Sequence, residues 1–466
     1  MSSLREYCAS LFGSEKLADC VVIFCQAQSD DAPPPAKRRS TRQTNTFGDP
    51  LPAHRVTLFG GSALLRSQAE RWVSGVELRV PLGSPEDVPH ARSALRFLYT
   101  GTVDGGSSAE ELLKLRRQAD YLVVEGCVEA CDAALLARVK SGELNVAELF
   151  ACRHLLPSPD ESGGDELVEA LLAACREVLV KQLDARSLGD LLAWAFRDAP
   201  SLLCDFTARS QMLQLSADAM EALLGSELFA TDDEATVLLM VAEWRWAQQM
   251  ELKDEAVDRL CRLVRLSQLP DDYLVDTLPH IPWFPLTSEE RSFLRLYARS
   301  FGEKRTALTD VAARELYDLA SPWYAASARP FGRSDLKRAY RWSIKQESIE
   351  KSVLNVKFDN GDAHLVAHGF RWWPSLKKEG EKYVGVYLGC SMPEALCVSA
   401  VRKCIRLARA SARLVVYRCE NVEVEADSDD YSDEYMEVGR SLGRDLALPL
   451  AAYIHKGKVT GSLTFV

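Results

Sequence analysis

The short sequence GRSLG, Gly439 to Gly443, carries residues that could perform acyl transfer. Its spacing matches the G-x-S-x-G pattern, in which a nucleophilic serine lies on a sharp turn between a strand and a helix. The same chemistry needs an acid and a histidine later in the chain, and His455 is the only histidine after Ser441. Pro449 follows closely, where the pattern requires a helix. We therefore interpret GRSLG as a connection between two strands and predict no catalytic residue.

The acidic sequence DSDDYSDEYME, residues 427–437, could suggest a calcium site. A calcium loop of the EF-hand type needs an oxygen ligand at its fifth position and a glycine at its sixth. Tyr431 and Ser432 occupy these two positions. The pattern therefore fails, and we expect a solvated acidic loop here.

Cysteine and histidine side chains in the last third of the chain could suggest zinc. The candidates are Cys390, Cys397, Cys404, His364 and His368. Zinc sites normally use closely paired ligands such as C-x2-C, which this sequence lacks. Cys127 and Cys131 are four residues apart on one predicted helix, where apolar packing is the usual role of cysteine. No phosphate-binding glycine motif is present in the sequence either, so we predict no metal and no cofactor.

The pair His54-Arg55 stands directly before the run VTLFGGSALLRS, which has helical character. The pair could be a catalytic histidine with a basic neighbour, or it could fix how this segment packs. Gly60 and Gly61 interrupt the run, and glycine lowers helix stability by roughly 1 kcal/mol relative to alanine. The residues by themselves leave both interpretations open.

Length and composition limit the classes of protein to which this chain can belong. With 466 residues it exceeds what one core usually supports, so about two to four domains are expected. The net charge of −11 argues against direct binding to nucleic acid or anionic membranes, and no apolar run approaches the roughly 18 residues of a membrane span. The 13 scattered cysteines favour a reducing compartment, and Arg5 and Glu6 come too early for a signal peptide. We therefore predict an intracellular protein.

Residues 1–140 are predicted to mix strands and helices. ADCVVIFCQA and VELRVPL have the β-branched and apolar composition of strands. Between them, the polar and proline-rich residues 28–49 are predicted to form a disordered insertion. Helices follow, with Ser84 predicted as an N-cap and Ser108 and Glu111 predicted as a capping box.

The remaining residues change from a helical to a strand pattern. Residues 141–284 have helical periodicity almost throughout, including a predicted capping box of Thr231 and Glu234, and residues 285–336 have a weaker one. From 337 to 466 the hydrophobic residues alternate with period two. We predict a helical domain, a helical connector and a β-sandwich.

The one dense basic cluster, AKRRSTR, lies in the predicted insertion. A solubilising loop is the simpler interpretation. We favour a nuclear import signal formed by Lys37, Arg38 and Arg39, because the rest of the chain is acidic and the insertion is accessible. The expected location is the nucleus, the cytoplasm or both.

Five sequences in the N-terminal region together resemble the BTB/POZ fold. They are LADCVVIFCQ, LPAHRVTLFGGSALLRS, VELRVPL, ALRFLYTGTV and QADYLVVEGCVEAC, in this order. The resemblance implies that Asp19 and Arg55 form a buried charged pair near the dimer floor, and that His54 anchors the turn into the next helix. The His-Arg pair would then be structural. Gly60 and Gly61 depart from the family, which usually has small helix formers at these positions.

The rest of the chain resembles two further domains. LNVAELFACRHLL, DDEATVLLMVAEWRWAQ and LCRLVRLSQLPDDYLVDTL resemble the BACK domain, which commonly follows BTB. HGFRWWPS, KYVGVYLGC and VGRSLGRDLALPLAAYI resemble, more loosely, a MATH/TRAF-like β-sandwich. This order is that of the plant-type POZ/BACK proteins. The expected multidomain α+β fold has a BTB/POZ domain (1–140), an all-α BACK domain (141–284), a helical connector (285–336) and a C-terminal MATH-like β-sandwich (337–466).

BTB/BACK proteins typically connect cullin-3 to a substrate within an E3 ubiquitin ligase, and they are not enzymes. The resemblance therefore implies a homodimer whose partners are cullin-3 and an unknown protein substrate, which the C-terminal domain recruits. The cullin-binding candidates are Leu64, Leu65, Gln68, Glu70, Tyr121, Leu122, Val146, Leu149 and Phe150. The chain departs from a hydrophobic-x-Glu element, because Gln68 and Ala69 precede Glu70. A dimeric nuclear scaffold or transcriptional co-regulator without a ligase role is the alternative.

Overall fold

The computed structural model divides into two compact units, Met1–Val178 (unit 1) and Leu179–Val466 (unit 2). The structure describes residues 3–27, 45–71, 77–104, 106–158, 164–181, 188–249, 255–315, 317–325, 327–331, 340–351, 356–357, 365–379, 383–396, 412–420, 423–431, 441–445 and 450–465. Each unit combines helices with strands, as the expected mixed fold class requires. The finer division at residues 140, 284 and 336 stays a prediction. Each helix of the described residues is too short or too polar to cross a bilayer.

Unit 1 contains a three-stranded sheet. Its strands are β1 (Cys20–Gln26), β2 (Leu51–Ala53) and β3 (Glu77–Leu82), in the order β2-β1-β3. β1 pairs antiparallel with β2 and parallel with β3. Val22 and Phe24 of β1 are buried together with Val80 of β3, because alternate residues of a strand face the same side.

Helices complete unit 1. They are α1 (Ser3–Leu11), α2 (Arg55–Gly61), α3 (Ala63–Arg71), α4 (Val88–Thr100), α5 (Ala109–Tyr121), α6 (Cys127–Ser141), α7 (Val146–Ala151) and α8 (Gly164–Leu179). α2 ends at Gly61, and Ser62 is extended (φ −133°) before α3 begins, so the run is interrupted directly after the two glycines. A Cβ added to Gly61 would lie 2.4 Å from Leu98 Cδ2. Gly61 therefore allows the close approach of α2 to α4.

Local capping explains where two of these helices begin or end. Ser108 Oγ accepts a hydrogen bond from Glu111 N (3.2 Å) and Ser108 N donates to Glu111 Oε2 (2.8 Å), so the predicted capping box of α5 is confirmed. Gly101 follows α4 with a φ of 65°, a left-handed conformation that glycine adopts at little cost. Ser84 caps a 3₁₀ turn, Pro85–Asp87, which immediately precedes α4.

The predicted insertion 28–49 is described only at its end. Residues 28–44, which include the import candidates Lys37, Arg38 and Arg39, lie outside the described residues. Phe47 N donates to Phe24 O (2.8 Å), and Gln26 N donates to Asn45 O (3.0 Å). Phe47 also packs against the core. Residues 45–47 are thus attached to β1, which differs from the expected disordered insertion.

The helices of unit 2 surround one buried helix. They are α9 (Gly189–Phe196), α10 (Ala199–Cys204), α11 (Phe206–Leu213), α12 (Ala217–Gly225), α13 (Glu234–Ala247), α14 (Glu255–Arg262), α15 (Ser288–Ala298), α16 (Glu303–Glu315) and α17 (Gln346–Lys351). Every residue of α13 from Glu234 to Arg245 is buried. A helix that is buried on all sides lies at the centre of its domain.

The predicted capping box of Thr231 and Glu234 is wrong. Asp233 caps α13, and its carboxylate accepts a hydrogen bond from Ala235 N (2.8 Å). The Glu234 carboxylate instead lies 2.9 Å from Arg329 Nε, and both side chains are almost fully buried. Burial raises the pKa of Glu234 and lowers that of Arg329, so each group offsets the cost of burying the other's charge.

The end of the predicted connector is fastened to the helices of unit 2. Trp323, in the 3₁₀ turn Pro322–Tyr324, is fully buried, and its Nε1 donates to Cys261 O (2.8 Å). The side chains of Ser267 and Gln268 both donate to Ala325 O. This segment is therefore part of the packed unit and does not act as a free linker.

Two antiparallel sheets, each of five strands among the described residues, follow the helices. The strands are β4 (Tyr340–Lys345), β5 (Val356–Lys357), β6 (Leu365–Ala367), β7 (Phe370–Glu379), β8 (Tyr383–Ser391), β9 (Ala412–Glu420), β10 (Glu423–Tyr431), β11 (Ser441–Asp445), β12 (Ile454–His455) and β13 (Lys458–Phe465). One sheet has the order β10-β9-β13-β12 with β4 also on β13, and the other has β11-β8-β7-β5 with β6 also on β7. The rings of Trp372 and Phe465 lie 5.1 Å apart, so the two sheets touch.

The acidic tract differs from its prediction. Asp427 pairs with Val416, and Tyr431 pairs with Ala412, so these residues belong to β10. The expectation of a solvated loop is wrong for residues 427–431, and residues 432–437 lie outside the described part of the chain. β10 ends its sheet in the described strand order, and acidic residues at such an edge disfavour pairing with another chain.

An ion-pair triad connects the helices and the sheets within unit 2. The Glu243 carboxylate of α13 accepts from Arg209 of α11 and from Arg371 of β7 (2.7 Å). Glu243 is 6% exposed, and the two guanidinium groups are 26% and 24% exposed. Trp283 Nε1 also donates to Leu396 O, after β8 (3.3 Å). Helices and sheets therefore share one interior.

Candidate functional site

His54 is buried between three segments of unit 1. Its Nε2 lies 2.9 Å from Lys16 O and its Nδ1 lies 3.1 Å from the Tyr99 hydroxyl, which also accepts from His54 N (2.9 Å). A carbonyl only accepts, so we assign the ring proton to Nε2, and the Tyr99 hydroxyl then donates to Nδ1. Burial raises the pKa of Tyr99 to about 12, which keeps its hydroxyl protonated. Both ring nitrogens are thus occupied by groups that hold the start of α2 in place.

Asp19 and Arg55, the predicted charged pair, meet at the start of α2. Asp19 is exposed and Arg55 is half-buried in the single chain. Asp19 Oδ1 accepts from the backbone Arg55 N (2.8 Å), at the first residue of α2. The carboxylate therefore satisfies one of the unpaired amides at a helix start and interacts favourably with the helix dipole.

Two exposed apolar side chains flank this contact. Leu17 is 69% exposed and has a φ of 63°, and Val56 is 82% exposed. Sequence patterns did not single out either residue. The available signal was an apolar residue two positions before Asp19 and another one position after Arg55.

A second surface forms where α3 meets the segment after α5. Ser62 Oγ donates to Leu122 O (2.6 Å), Glu125 N donates to Gly61 O (2.9 Å), and Ala63 N donates to Val123 O (3.4 Å). These bonds bring the start of α3 beside residues 121–125. We define the α3 surface as Leu64, Gln68, Tyr121 and Val123.

The cullin-binding candidates divide into buried and accessible residues. Leu65, Leu122, Val146 and Leu149 are at most 2% exposed and lie in the interior in this conformation. Their role in cullin binding stays a prediction. Leu64, Gln68 and Phe150 are half-buried, and Tyr121 is 44% exposed. The side chain of Glu70 lies outside what the structure describes.

Val123 is a surface residue that the sequence analysis missed. It is 53% exposed and has a φ of 49°, which is rare for a β-branched residue. It stands between Leu122 and Val124, which are both buried. Three consecutive apolar residues gave no signal that the middle one faces solvent.

Phe150 lies apart from the α3 surface, on α7. The Arg153 guanidinium carbon stands 4.2 Å from the centre of its ring. Such a cation-π contact contributes about 0.5–1 kcal/mol at exposed sites. α7 contacts α5, which ends at Tyr121, so both aromatic residues belong to neighbouring helices of unit 1.

The residues considered for catalysis and metal binding can be placed only where they belong to the described part of the chain. Ser441 is the first residue of β11 and pairs with Gly389, so no strand-to-helix turn begins there, and His455 is exposed in the other sheet. Cys390 is buried, whereas Cys397, Cys404 and His364 lie outside the described residues. Within the described part of the chain, no three His, Cys, Asp or Glu side chains are grouped to hold a metal ion.

Comparison with known families assigns the helical part of unit 2. Residues 186–279 match the family model of the BACK domain, BTB And C-terminal Kelch. No curated protein matches the chain. The match contains α9 to α14, with the buried α13 among them, so the expectation of a BACK domain is confirmed for these residues. BACK domains are typical of BTB adaptors of cullin E3 ligases. Within unit 2, the similarity to a BACK domain therefore extends over residues 186–279.

Proposed function

We propose that the protein is a substrate-recruiting adaptor of a cullin-3 RING E3 ubiquitin ligase, and that it is not an enzyme. The observation that carries this proposal is the BACK domain at residues 186–279, which follows a unit with a mixed three-stranded sheet. In this proposal unit 1 supplies a BTB/POZ domain. The motifs around β1, α2 and α4 support it, since they occur in the order of that family.

The proposed adaptor is a homodimer that associates through unit 1. Leu17 and Val56 support this role, because two strongly exposed apolar side chains beside an exposed carboxylate are costly in water. A second copy that covers them would also bury Asp19 and Arg55, as the BTB resemblance implies. Dimerisation would double the substrate-binding sites and increase avidity.

Cullin-3 would bind the α3 surface, together with Phe150. Tyr121 and Val123 are its most exposed apolar members, and aromatic anchors usually dominate such interfaces. The two sheets of unit 2 would act as a MATH/TRAF-like substrate-binding domain. We place the adaptor in the nucleus, the cytoplasm or both, with Lys37, Arg38 and Arg39 as the import signal.

The affinity of the full chain for the purified N-terminal domain of cullin-3 tests this proposal. The variant Tyr121→Ala/Val123→Asp should lose about 2 kcal/mol or more of binding free energy. Aspartate tolerates the left-handed backbone at position 123 better than valine, so the variant should stay folded, which circular dichroism can verify.

Leu296→Asp is the matched control. Leu296 is 60% exposed on α15, outside the BACK match and the α3 surface, so its substitution should leave the affinity unchanged. If both variants bind cullin-3 with the affinity of the wild type, the α3 surface is not the cullin-binding site.

The second candidate function is a dimeric nuclear scaffold or transcriptional co-regulator without a ligase role. The burial of Leu65, Leu122, Val146 and Leu149 favours it, because it leaves a smaller accessible surface for cullin-3. In that case the wild-type chain would dimerise but would not bind cullin-3 at all.

A further inference from the structure

Two residues form the turn that joins β6 to β7 in unit 2. Ala367 pairs with Phe370, and the residues between them, His368 and Gly369, have φ values of 51° and 78°. A two-residue hairpin turn with both φ values positive is of type I′, for which Asn-Gly and Asp-Gly are the preferred sequences. Histidine is not among the residues preferred at the first position of this turn, so turn geometry alone does not explain its presence.

This turn is docked on the start of α13. His368 N donates to Asp232 Oδ2 (2.7 Å), and Gly369 N donates to Thr236 Oγ1 (3.0 Å). A Cβ on Gly369 would lie 2.7 Å from Ala235 Cβ and 2.9 Å from Ala235 O, so the two backbones are in close contact. The hairpin thus meets the most buried helix of the BACK domain at its first turn.

The His368 ring faces two carboxylates. Its Nδ1 lies 3.9 Å from Asp233 Oδ2, which is an ion-pair distance and too long for a hydrogen bond. The Asp232 carboxylate accepts a hydrogen bond from the backbone N of His368. Of the titratable groups that interact with these carboxylates, Tyr273 is near Asp233, and Tyr340 and Cys204 are near Asp232. Burial raises the pKa of all three, so they stay neutral near pH 7. The centre of the Phe465 ring lies 6.1 Å from that of His368.

We propose that the His368–Gly369 turn is a pH-responsive latch, which docks the β6–β7 hairpin on α13 while the His368 imidazole is protonated and loosens when the imidazole loses its proton. The protonated ring is attracted by Asp233 and Asp232. When the ring is neutral, the carboxylates of Asp232 and Asp233 lose the positive charge that attracts them to the turn. The positive end of the α13 dipole opposes the imidazolium, and the two carboxylates offset it.

The direction of the pH dependence follows from the charges. Burial lowers the pKa of His368, but Asp233 and Asp232 together raise it by more, so it lies above its usual 6.5. Burial also raises the pKa of Asp232. A group whose pKa is raised on folding contributes stability that is complete below its unfolded pKa and is lost as the pH rises through its folded pKa. The hairpin should therefore loosen as the pH increases above about 6.5.

Hydrogen exchange of the full-length protein tests the latch. Amide protection of residues 365–371 is measured from about pH 6 to about pH 8.5 and corrected for the intrinsic pH dependence of exchange. Protection in the wild type should fall with increasing pH, by about tenfold for each unit by which the His368 pKa is raised. His368→Asn keeps a favourable type I′ turn, and its protection should not change with pH.

Two further variants separate the latch from general destabilisation. Asp233→Asn keeps a good N-cap while it removes one charge, so it should weaken the pH dependence without melting α13. His455→Asn removes an exposed histidine of the sheets and should leave the wild-type pH dependence intact. Wild-type protection that does not change with pH, or an equal fall in His368→Asn, would overturn the proposal.

Discussion

At the scale of single residues, the hydroxyl of Tyr99 fixes His54 at the start of α2. It accepts from His54 N and donates to His54 Nδ1, and both residues are buried. Tyr99→Phe should therefore lower the free energy of unfolding by about 1–3 kcal/mol, since it leaves buried polar groups unpaired.

Urea denaturation of the full chain measures this effect, and Tyr7→Phe is its control. Tyr7 is 42% exposed, so loss of its hydroxyl should change stability by less than about 0.5 kcal/mol. Equal stability of Tyr99→Phe and the wild type would show that His54 does not anchor α2 through this bond.

Residue patterns predicted local contacts better than distant ones. The Ser108 and Glu111 capping box needs only neighbours three residues apart, and its spacing was sufficient to find it. The same spacing failed at Thr231 and Glu234, because Arg329 occupies the Glu234 carboxylate from a distant part of the chain. Likewise, the family resemblance implied Val146 and Leu149 as cullin-binding candidates but did not indicate that both are buried within the chain.

At the scale of elements, the shared Glu243 carboxylate should hold α11, α13 and β7 together. Glu243→Gln keeps the shape of the side chain but removes the charge from between Arg209 and Arg371. We expect a loss of about 2–4 kcal/mol of stability, somewhat below the range for fully buried pairs because both guanidinium groups reach solvent.

Thermal unfolding monitored by circular dichroism can compare this variant with Glu221→Gln. Glu221 pairs with Arg259 on the surface, where an ion pair contributes about 0–1 kcal/mol. If both variants lose a similarly small amount of stability, Glu243 does not hold α11, α13 and β7 together.

The elements themselves were largely predictable, whereas their pairing was not. Alternating hydrophobic residues predicted strands after residue 337. The sequence DSDDY was expected to be a loop, because it lacks this alternation, yet it pairs with β9. These residues form a strand because β9 offers an unpaired edge, which the local sequence does not reveal.

At the scale of the whole molecule, the helices and sheets of unit 2 form one compact unit that contains the residues matched by the BACK family model. The weaker helical periodicity of residues 285–336 predicts a helical connector. Tertiary contacts of Trp323 and Arg329 instead fasten the end of that segment. A substrate bound to the sheets would thus be held by a packed body and not by a flexible tether.

Sedimentation velocity of the full chain, alone and with the N-terminal domain of cullin-3, tests the dimeric adaptor most directly. We expect a dimer of about twice 51.8 kDa at micromolar concentration, which binds two copies of the cullin domain. A monomer whose sedimentation does not change on addition of the cullin domain would contradict the proposed function.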